Sequence, residues 1–286
     1  VDTGSPRKRP EGKSVLIGKR GAATTALSTA EADRIEIRGR DLAADLMGSA
    51  SFTAFFFFLT TGRMPTEAQR FFLDLALIAI AEHGLTPTVQ AARMTYAADP
   101  DALQGAVAAG ILGCGTVVLG TAGLCGRLLA DALKRVDQGV APDAAAEEVA
   151  AAYRKDWRAI PGYGHPIHKP LDPRAERIFA LAVERGVAGR HIDFARRLTG
   201  AVARAWGKPL PMNVSMAIAA SMLDLDVPDA VISGIPILAR TAGLIAHLAE
   251  EARTPIGFLM ASEGEAAIRY VGGDGASEVS GAGSAP

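Results

Sequence analysis

The stretch PGYGHPIHKPLDPR, Pro161 to Arg174, sets two of the chain's five histidines, a lysine, an aspartate and an arginine among four prolines and two glycines. Each residue type has a chemical use. Gly162 and Gly164 let backbone amides and carbonyls approach a ligand closely. Pro161, Pro166, Pro170 and Pro173 restrict the loop and lower the entropy lost on ordering it. His165 can donate to a carbonyl oxygen and titrates near neutrality. Arg174 offers a planar fork for a carboxylate, and Lys169 a point charge for a phosphate. Asp172 precedes Pro173 as an N-cap, with proline in its favoured first helical position. The set suggests an anionic ligand with a carbonyl to polarise. A rigid solvent loop ending in a capped helix stays open as the plainer alternative.

The rest of the chain must position this loop. Its 286 residues suit one large or two modest domains. A 49 % hydrophobic content supplies a large core, and a formal net charge of -1 leaves no electrostatic footprint for nucleic acid. Cys114 and Cys125 stand in apolar surroundings and fit buried thiols in a reducing cytoplasm, and no spacing of cysteine and histidine indicates a metal site. The opening VDTGSPRKRPEGK is polar and basic, unlike a signal peptide.

Ala102–Gly126 carries no charge and is long enough to cross a bilayer, but seven glycines and no aromatic belt favour a buried helix pair, so no membrane partner is expected. Residues 1–14 and 272–286 read as a disordered arm and tail. SVLIGKRG and ADRIEIRGR have strand character. Everything after them reads mainly as helix, including Ser51–Pro65 with its four consecutive phenylalanines, 71–81, 143–157, 173–185, 191–206, 213–225 and 235–252. Breakers at Gly62, Pro65, Gly84, Pro87, Pro100, Gly139, Pro142, Gly186, Pro209, Pro211 and Pro228 separate these helices. The fold class is all-α.

PGYGHPIHKPLDPRA resembles the glycine–histidine loop of the citrate synthase superfamily, PG(F/Y)GH followed by a basic residue and DPRA, with no gap from His165 to Arg174. IRGRDLAADL, FLTTGRMPTEAQRFF, EHGLTPTVQAARM, PMNVSMAIAASM and ILARTAGLIAHLAEEARTPIG resemble further family segments in order, over roughly residues 35–260. The short length is most similar to the small citryl-CoA lyase-type members.

The resemblance implies a large domain of 15–119 with 229–271, a small domain of 120–228, and an active site in the cleft between them. It also implies a homodimer formed through the apolar helices of 102–126. His83 falls on the family's oxaloacetate-binding histidine, and Arg174 and Arg240 on two arginines that hold carboxylates. His165 falls on the histidine that hydrogen-bonds the substrate carbonyl. In cleavage, His165 would also be the group placed to take the hydroxyl proton. Pro161, Gly162, Tyr163 and Gly164 belong to the main-chain stretch, Ala159–Gly164, that recognises the adenine of coenzyme A, and Lys169 falls where a basic residue meets its phosphates. Coenzyme A would be a thioester substrate, with no tightly bound cofactor.

Three positions depart from the family pattern. GTVVLGTAG puts Val118 or Leu119 where the family has an enol-stabilising histidine, and Ser215 stands where it has the catalytic aspartate. PIGFLMASEG lacks the arginine that the family supplies to the partner subunit's site, with Phe258 near that place. A lost base costs about 10²–10⁴-fold in rate, and a lost oxyanion donor about 10²–10³-fold. Glu82 and Thr116 are the nearest substitutes. Two functions follow: an enzyme making or breaking the bond between an acyl-CoA and a 2-oxo dicarboxylate, or a binding or regulatory member that keeps only the ligand site. His168 is expected to face solvent or coenzyme A. His191 is expected on the surface, and His247 in the core.

Overall fold

The computed structural model describes residues 23–118 and 120–270, without the side chains of 116–118. The expected arm and tail, the strand reading of SVLIGKRG, and Leu119 lie outside the described residues. The chain divides into two compact units after Ser51.

In the first unit, β1 (Ser28–Ala30), β2 (Ile35–Ile37) and β3 (Arg40–Asp41) form an antiparallel sheet in that order. Arg38 and Gly39, both at positive φ, make the two-residue turn between β2 and β3. Asp41 then accepts from the amides of Ala43 and Ala44, capping the single π-helical turn Leu42–Leu46.

The second unit is helical among its described residues. Its elements are α1 (Phe52–Thr61), α2 (Glu67–Ala81), α3 (Pro87–Ala98), α4 (Leu103–Val118), α5 (Thr121–Asp137), α6 (Pro142–Lys155), α7 (Pro173–Glu184), α8 (Arg190–Trp206), α9 (Val214–Asp224), α10 (Asp229–Glu251) and α11 (Gly257–Ala266). The breakers fall between helices or, for Pro87 and Pro142, at the first residue of one. Thr66 and Gln69 close a capping box that starts α2, and proline opens α3, α6 and α7. The uncharged stretch is a helix pair, and α4 itself is interrupted at Gly115 (φ 50°, ψ -165°). α10 starts six residues before the expected Ile235 and runs through Pro236. Burial of Val231, Ile232 and Ile235 offsets the backbone bond that the proline removes.

Two apolar clusters organise the helices. The larger draws Phe57, Phe72, Leu129, Ile178, Phe194, Leu198, Met216 and Ile232 together, and the smaller joins Val89, Ala92 and Ala106 to Leu244 and Leu248. The first half of α10 belongs to the larger cluster and its second half to the smaller, so Arg240 stands where they meet. α10 is the one described helix long and apolar enough to span a membrane, and half of that window is buried. Arg93, 2 % exposed, ties α3 to α10 through Glu251 (2.6 Å) and Glu250 (2.7 Å). Glu251 in turn accepts the amides of Ile256 and Gly257 at the start of α11.

The end of α2 rests directly on α10. A Cβ on Gly243 would lie 1.9 Å from the carbonyl oxygen of Ala81. Glu82, the next residue, is held from the same helix by Nε2 of His247 at 2.7 Å. Gly243→Ala must therefore push apart the two helices that fix His83. A loss of about 1–3 kcal/mol is expected, read as a lower midpoint in thermal unfolding.

Candidate active site

A cavity of about 750 Å³ lies among α2, the 84–88 turn, the start of α5, the 164–167 loop, α7, α9 and α10. His83, His165, Arg174, Ser215 and Arg240 all line it, so residues separated by more than 150 positions converge. Ile80, Leu85, Ile218 and Pro236 supply an apolar wall.

The loop is held from below by Asp172, which is fully buried. Its carboxylate accepts the amide of Arg174 (3.1 Å), Nε of Arg174 (3.0 Å) and Nη2 of Arg174 (2.8 Å). It also accepts the amide of Val214 (3.1 Å) at the start of α9. It is thus the expected N-cap and, beyond that, a clamp between α7 and α9. Burial alone would raise its pKa, but the hydrogen bonds and charge of Arg174 reverse this and hold it below the ordinary range. Asn213 completes the clamp. Its amide donates to Gly162 O (2.9 Å), its side chain donates to Gly164 O (3.2 Å), and its side-chain oxygen caps Ser215 N (3.1 Å).

Gly162 is required twice over. Its φ is +85°, and a Cβ there would meet Met216 at 2.7 Å and Cys125 Sγ at 2.9 Å. Tyr163 is buried and donates from its hydroxyl to Ala195 O at 2.8 Å. Gly164 lines the cavity, whereas Pro161, Gly162 and Tyr163 do not. Lys169 is exposed on the same loop and also outside the lining.

Nδ1 of His165 accepts the backbone amides of Ile167 (3.1 Å) and His168 (3.0 Å). Nη2 of Arg174 lies 3.4 Å from Nε2, but the two shorter amide contacts at Nδ1 outweigh it, so the neutral ring keeps Nδ1 as the acceptor and its proton on Nε2. Burial, then the neighbouring His168 and Arg174, lower its pKa and keep it neutral. His165 is therefore a donor. Taking a hydroxyl proton at Nε2 would require an imidazolate first, which argues against the base role expected for it.

Arg240 is 6 % exposed, and its Nε and Nη1 have no hydrogen-bond partner. A buried guanidinium left open towards a cavity is costly unless an anion completes it. His83 follows the end of α2, and its Nε2 lies 2.9 Å from Nε2 of His168. Burial, then Arg174, His168 and Arg240, lower the pKa of His83.

His168 is the site residue that sequence reasoning placed elsewhere. It packs, half-buried, against His165 (ring centroids 4.3 Å apart) and His83 (5.1 Å). The HxxH spacing was its one signal. The ring nitrogens of His83, His165 and His168 lie within 4.8 Å of one another, which meets the ligand count of a metal site. The donor chemistry argues for an anion instead. Two amides occupy His165 Nδ1, and two guanidiniums share the cavity.

Glu82 faces His247 and not the cavity, and the Thr116 and Val118 side chains lie outside the description. Phe258 is 71 % exposed on α11. His191 is largely buried, its Nδ1 2.8 Å from Asp224, and His247 is a partnered, mostly buried histidine as expected.

A mainly helical protein with two arginines and two imidazoles around one cavity is thereby defined, and comparison with known proteins agrees. The family model described as Citrate synthase, C-terminal domain, matches residues 22–257. The chain belongs to the citrate synthase family. It is 28 % identical over 260 residues to a citrate/2-methylcitrate synthase of Bacillus subtilis, covering 88 % of this chain and 64 % of that one. It is 27 % identical over 205 residues to a citrate synthase of Haloferax volcanii, covering 71 % and 52 %. The chain thus spans less than two thirds of either relative's length. The citryl-CoA lyase of Hydrogenobacter thermophilus superposes with a TM-score of 0.71 at 29 % identity, covering 81 % of this chain and 87 % of that one. The ATP citrate lyase of Methanothrix soehngenii, solved with citrate and coenzyme A, shares the fold (TM-score 0.69, 22 % identity, 83 % and 40 % covered).

Asp172→Asn removes the charge that holds Arg174 and is expected to destabilise the protein at pH 7 by about 3 kcal/mol. A depressed pKa contributes stability above the unfolded value and loses it as pH falls through the folded one. Denaturant unfolding should therefore show the gap between wild type and variant closing below about pH 4.

Proposed function

We propose that the cavity binds a citrate-like or oxaloacetate-like dicarboxylate and that the protein cleaves or forms the bond between it and an acetyl thioester of coenzyme A. The observation that carries this is Arg240, a buried guanidinium with two unpartnered nitrogens beside Arg174, His83 and His165. Two forks neutralise two carboxylates, and the Nε2–H of His165 polarises the keto oxygen between them. The apolar wall of Ile80, Leu85 and Ile218 suits the acyl and pantetheine end. We place the adenine at the Pro161–Gly164 edge and the phosphates at Lys169, both outside the cavity lining. The likeness to the citryl-CoA lyase favours cleavage, and the lining is drawn from both the expected large domain (83–88, 236, 240) and the expected small one (121, 164–174, 213–218).

The second reading, a binding or regulatory protein, is favoured by Ser215. A serine lining the cavity whose hydroxyl has no hydrogen-bonded base among the described residues does not abstract an α-proton at neutral pH.

The proposed homodimer through the helices of 102–126 has support in Leu112, 81 % exposed, with Leu103 at 45 % and Leu124 at 39 %. Leu112→Lys should shift the protein to monomer in light scattering at micromolar concentration, and an unchanged mass would remove this interface.

Citryl-CoA should be cleaved to oxaloacetate and acetyl-CoA, measured by coupling oxaloacetate to its reduction. Citrate should raise the melting temperature of wild type. Arg240→Met is expected to raise the melting temperature of the empty protein, because it removes a buried unpaired charge. The same variant should abolish the citrate-induced rise. A citrate response without cleavage selects the binding reading, and no response to citrate, oxaloacetate or coenzyme A overturns both.

A further inference from the structure

The proposed cleavage needs a base, and neither Ser215 nor His165 serves. Nε2 of His83 and Nε2 of His168 are 2.9 Å apart. Two imidazole nitrogens at that distance share one proton, one ring donating and the other accepting. His83 lines the cavity and the half-buried His168 does not, so with Nε2 engaged by His168 the His83 ring has only Nδ1 left to meet a ligand. The arrangement runs from cavity to His83 to His168 to solvent.

We propose that His83 and His168 form a proton relay that is the general base of this site, with His83 the catalytic residue and His168 the positioning residue and terminal proton acceptor. The step balances. The substrate hydroxyl gives its proton to His83 Nδ1, and the proton on His83 Nε2 passes to His168 Nε2. The O–H electron pair becomes the carbonyl π bond. The adjacent C–C bond breaks, and its pair passes to the thioester as an enolate, which takes a proton from water. His168 returns the extra proton to solvent. His165 donates to the hydroxyl-derived oxygen throughout and exchanges no proton.

The surroundings suit this role. Arg174 and Arg240 face His83 from α7 and α10, and Asp172 lies beneath Arg174. Glu82, adjacent in the chain, is turned to His247. Both guanidiniums oppose a charge on His83, which keeps it neutral and ready to accept near pH 7. A bound dianion cancels that opposition and raises the proton affinity of His83. His165 does not compete, because a proton on its Nδ1 would confront two amide donors.

The proposal rests on the dicarboxylate reading of the cavity, and its first test stands without that reading. Histidine-selective ¹⁵N NMR of the ligand-free protein from pH 5 to 9 should show His83 and His168 titrating as one coupled unit. His165 should be an Nε2–H tautomer wherever it is neutral. Independent titration of His83 and His168, or protonation of His165 in their place, overturns the relay. The second test uses His168→Gln, which keeps a hydrogen bond to His83 but takes no proton. Calorimetry with citrate in buffers of different ionisation enthalpy should show proton uptake by wild type at pH 7. The variant should lose that uptake while binding citrate within about threefold at pH 8. Equal uptake in both proteins overturns the proposal. In the citryl-CoA assay kcat should fall about 10²-fold or more with little change in KM. If wild type neither binds citrate nor cleaves citryl-CoA, the functional reading fails, while the NMR result still decides whether the coupled pair exists.

Discussion

The site depends on one buried carboxylate. Asp172 has no exposed surface, and it binds Arg174 three times and Val214 once. Arg174 would otherwise be a flexible side chain on the first turn of α7. Paired twice to Asp172, it is a fixed cationic face on the cavity. The same carboxylate sets the start of α9 and with it the position of Asn213, which holds the loop through Gly162 and Gly164. A depressed pKa keeps the clamp charged at any pH near neutrality. The loop's rigidity therefore comes less from its prolines than from a charge that cannot leave without releasing two helices.

Arg240 is the counterpart, a buried charge whose Nε and Nη1 have no partner among the described residues. A protein selected for stability alone would put a methionine or leucine between the two apolar clusters at that point on α10. The retained guanidinium weakens the empty protein and gains an anion's full electrostatic value in a cavity with an apolar wall. Arg174 is pre-neutralised in part by Asp172, whereas Arg240 is not. On the proposed reading the two forks would differ: Arg174 would orient a carboxylate, and Arg240 would supply most of the attraction.

Much of this was legible beforehand. Proline and glycine marked the helix boundaries because each enforces a backbone state that helices reject, and the loop motif named His165, Arg174 and, through its companions, His83 and Arg240. What escaped depended on distance in the chain. The binding of Asp172 to Val214 joins residues 42 apart, and the contact of His168 with His83 joins residues 85 apart. Neither contact has a local signature, so Asp172 read as a cap and His168 as facing solvent or coenzyme A. The start of α10 came six residues before the expected Ile235 because burial of Val231, Ile232 and Ile235 outweighs the backbone bond that Pro236 removes. Gly243 carries no sequence signal either, since its need arises only where α2 ends against α10.

The histidines show how partners divide one side chain into several functions. His247 is held by a carboxylate at Nε2 and sits within 3.4 Å of Arg93, so it joins α2 to α10 and has no free nitrogen for chemistry. His165 accepts two amides at Nδ1 and is left as a fixed donor. His83 meets another imidazole, a partner that accepts a proton as readily as it gives one. In the proposed relay, two of the three clustered imidazoles thus share a mobile proton while the third does not. That asymmetry is what a site needs if one group must polarise a carbonyl while another receives the hydroxyl proton. It is set by two loop amides and one 2.9 Å contact, with no change in residue type.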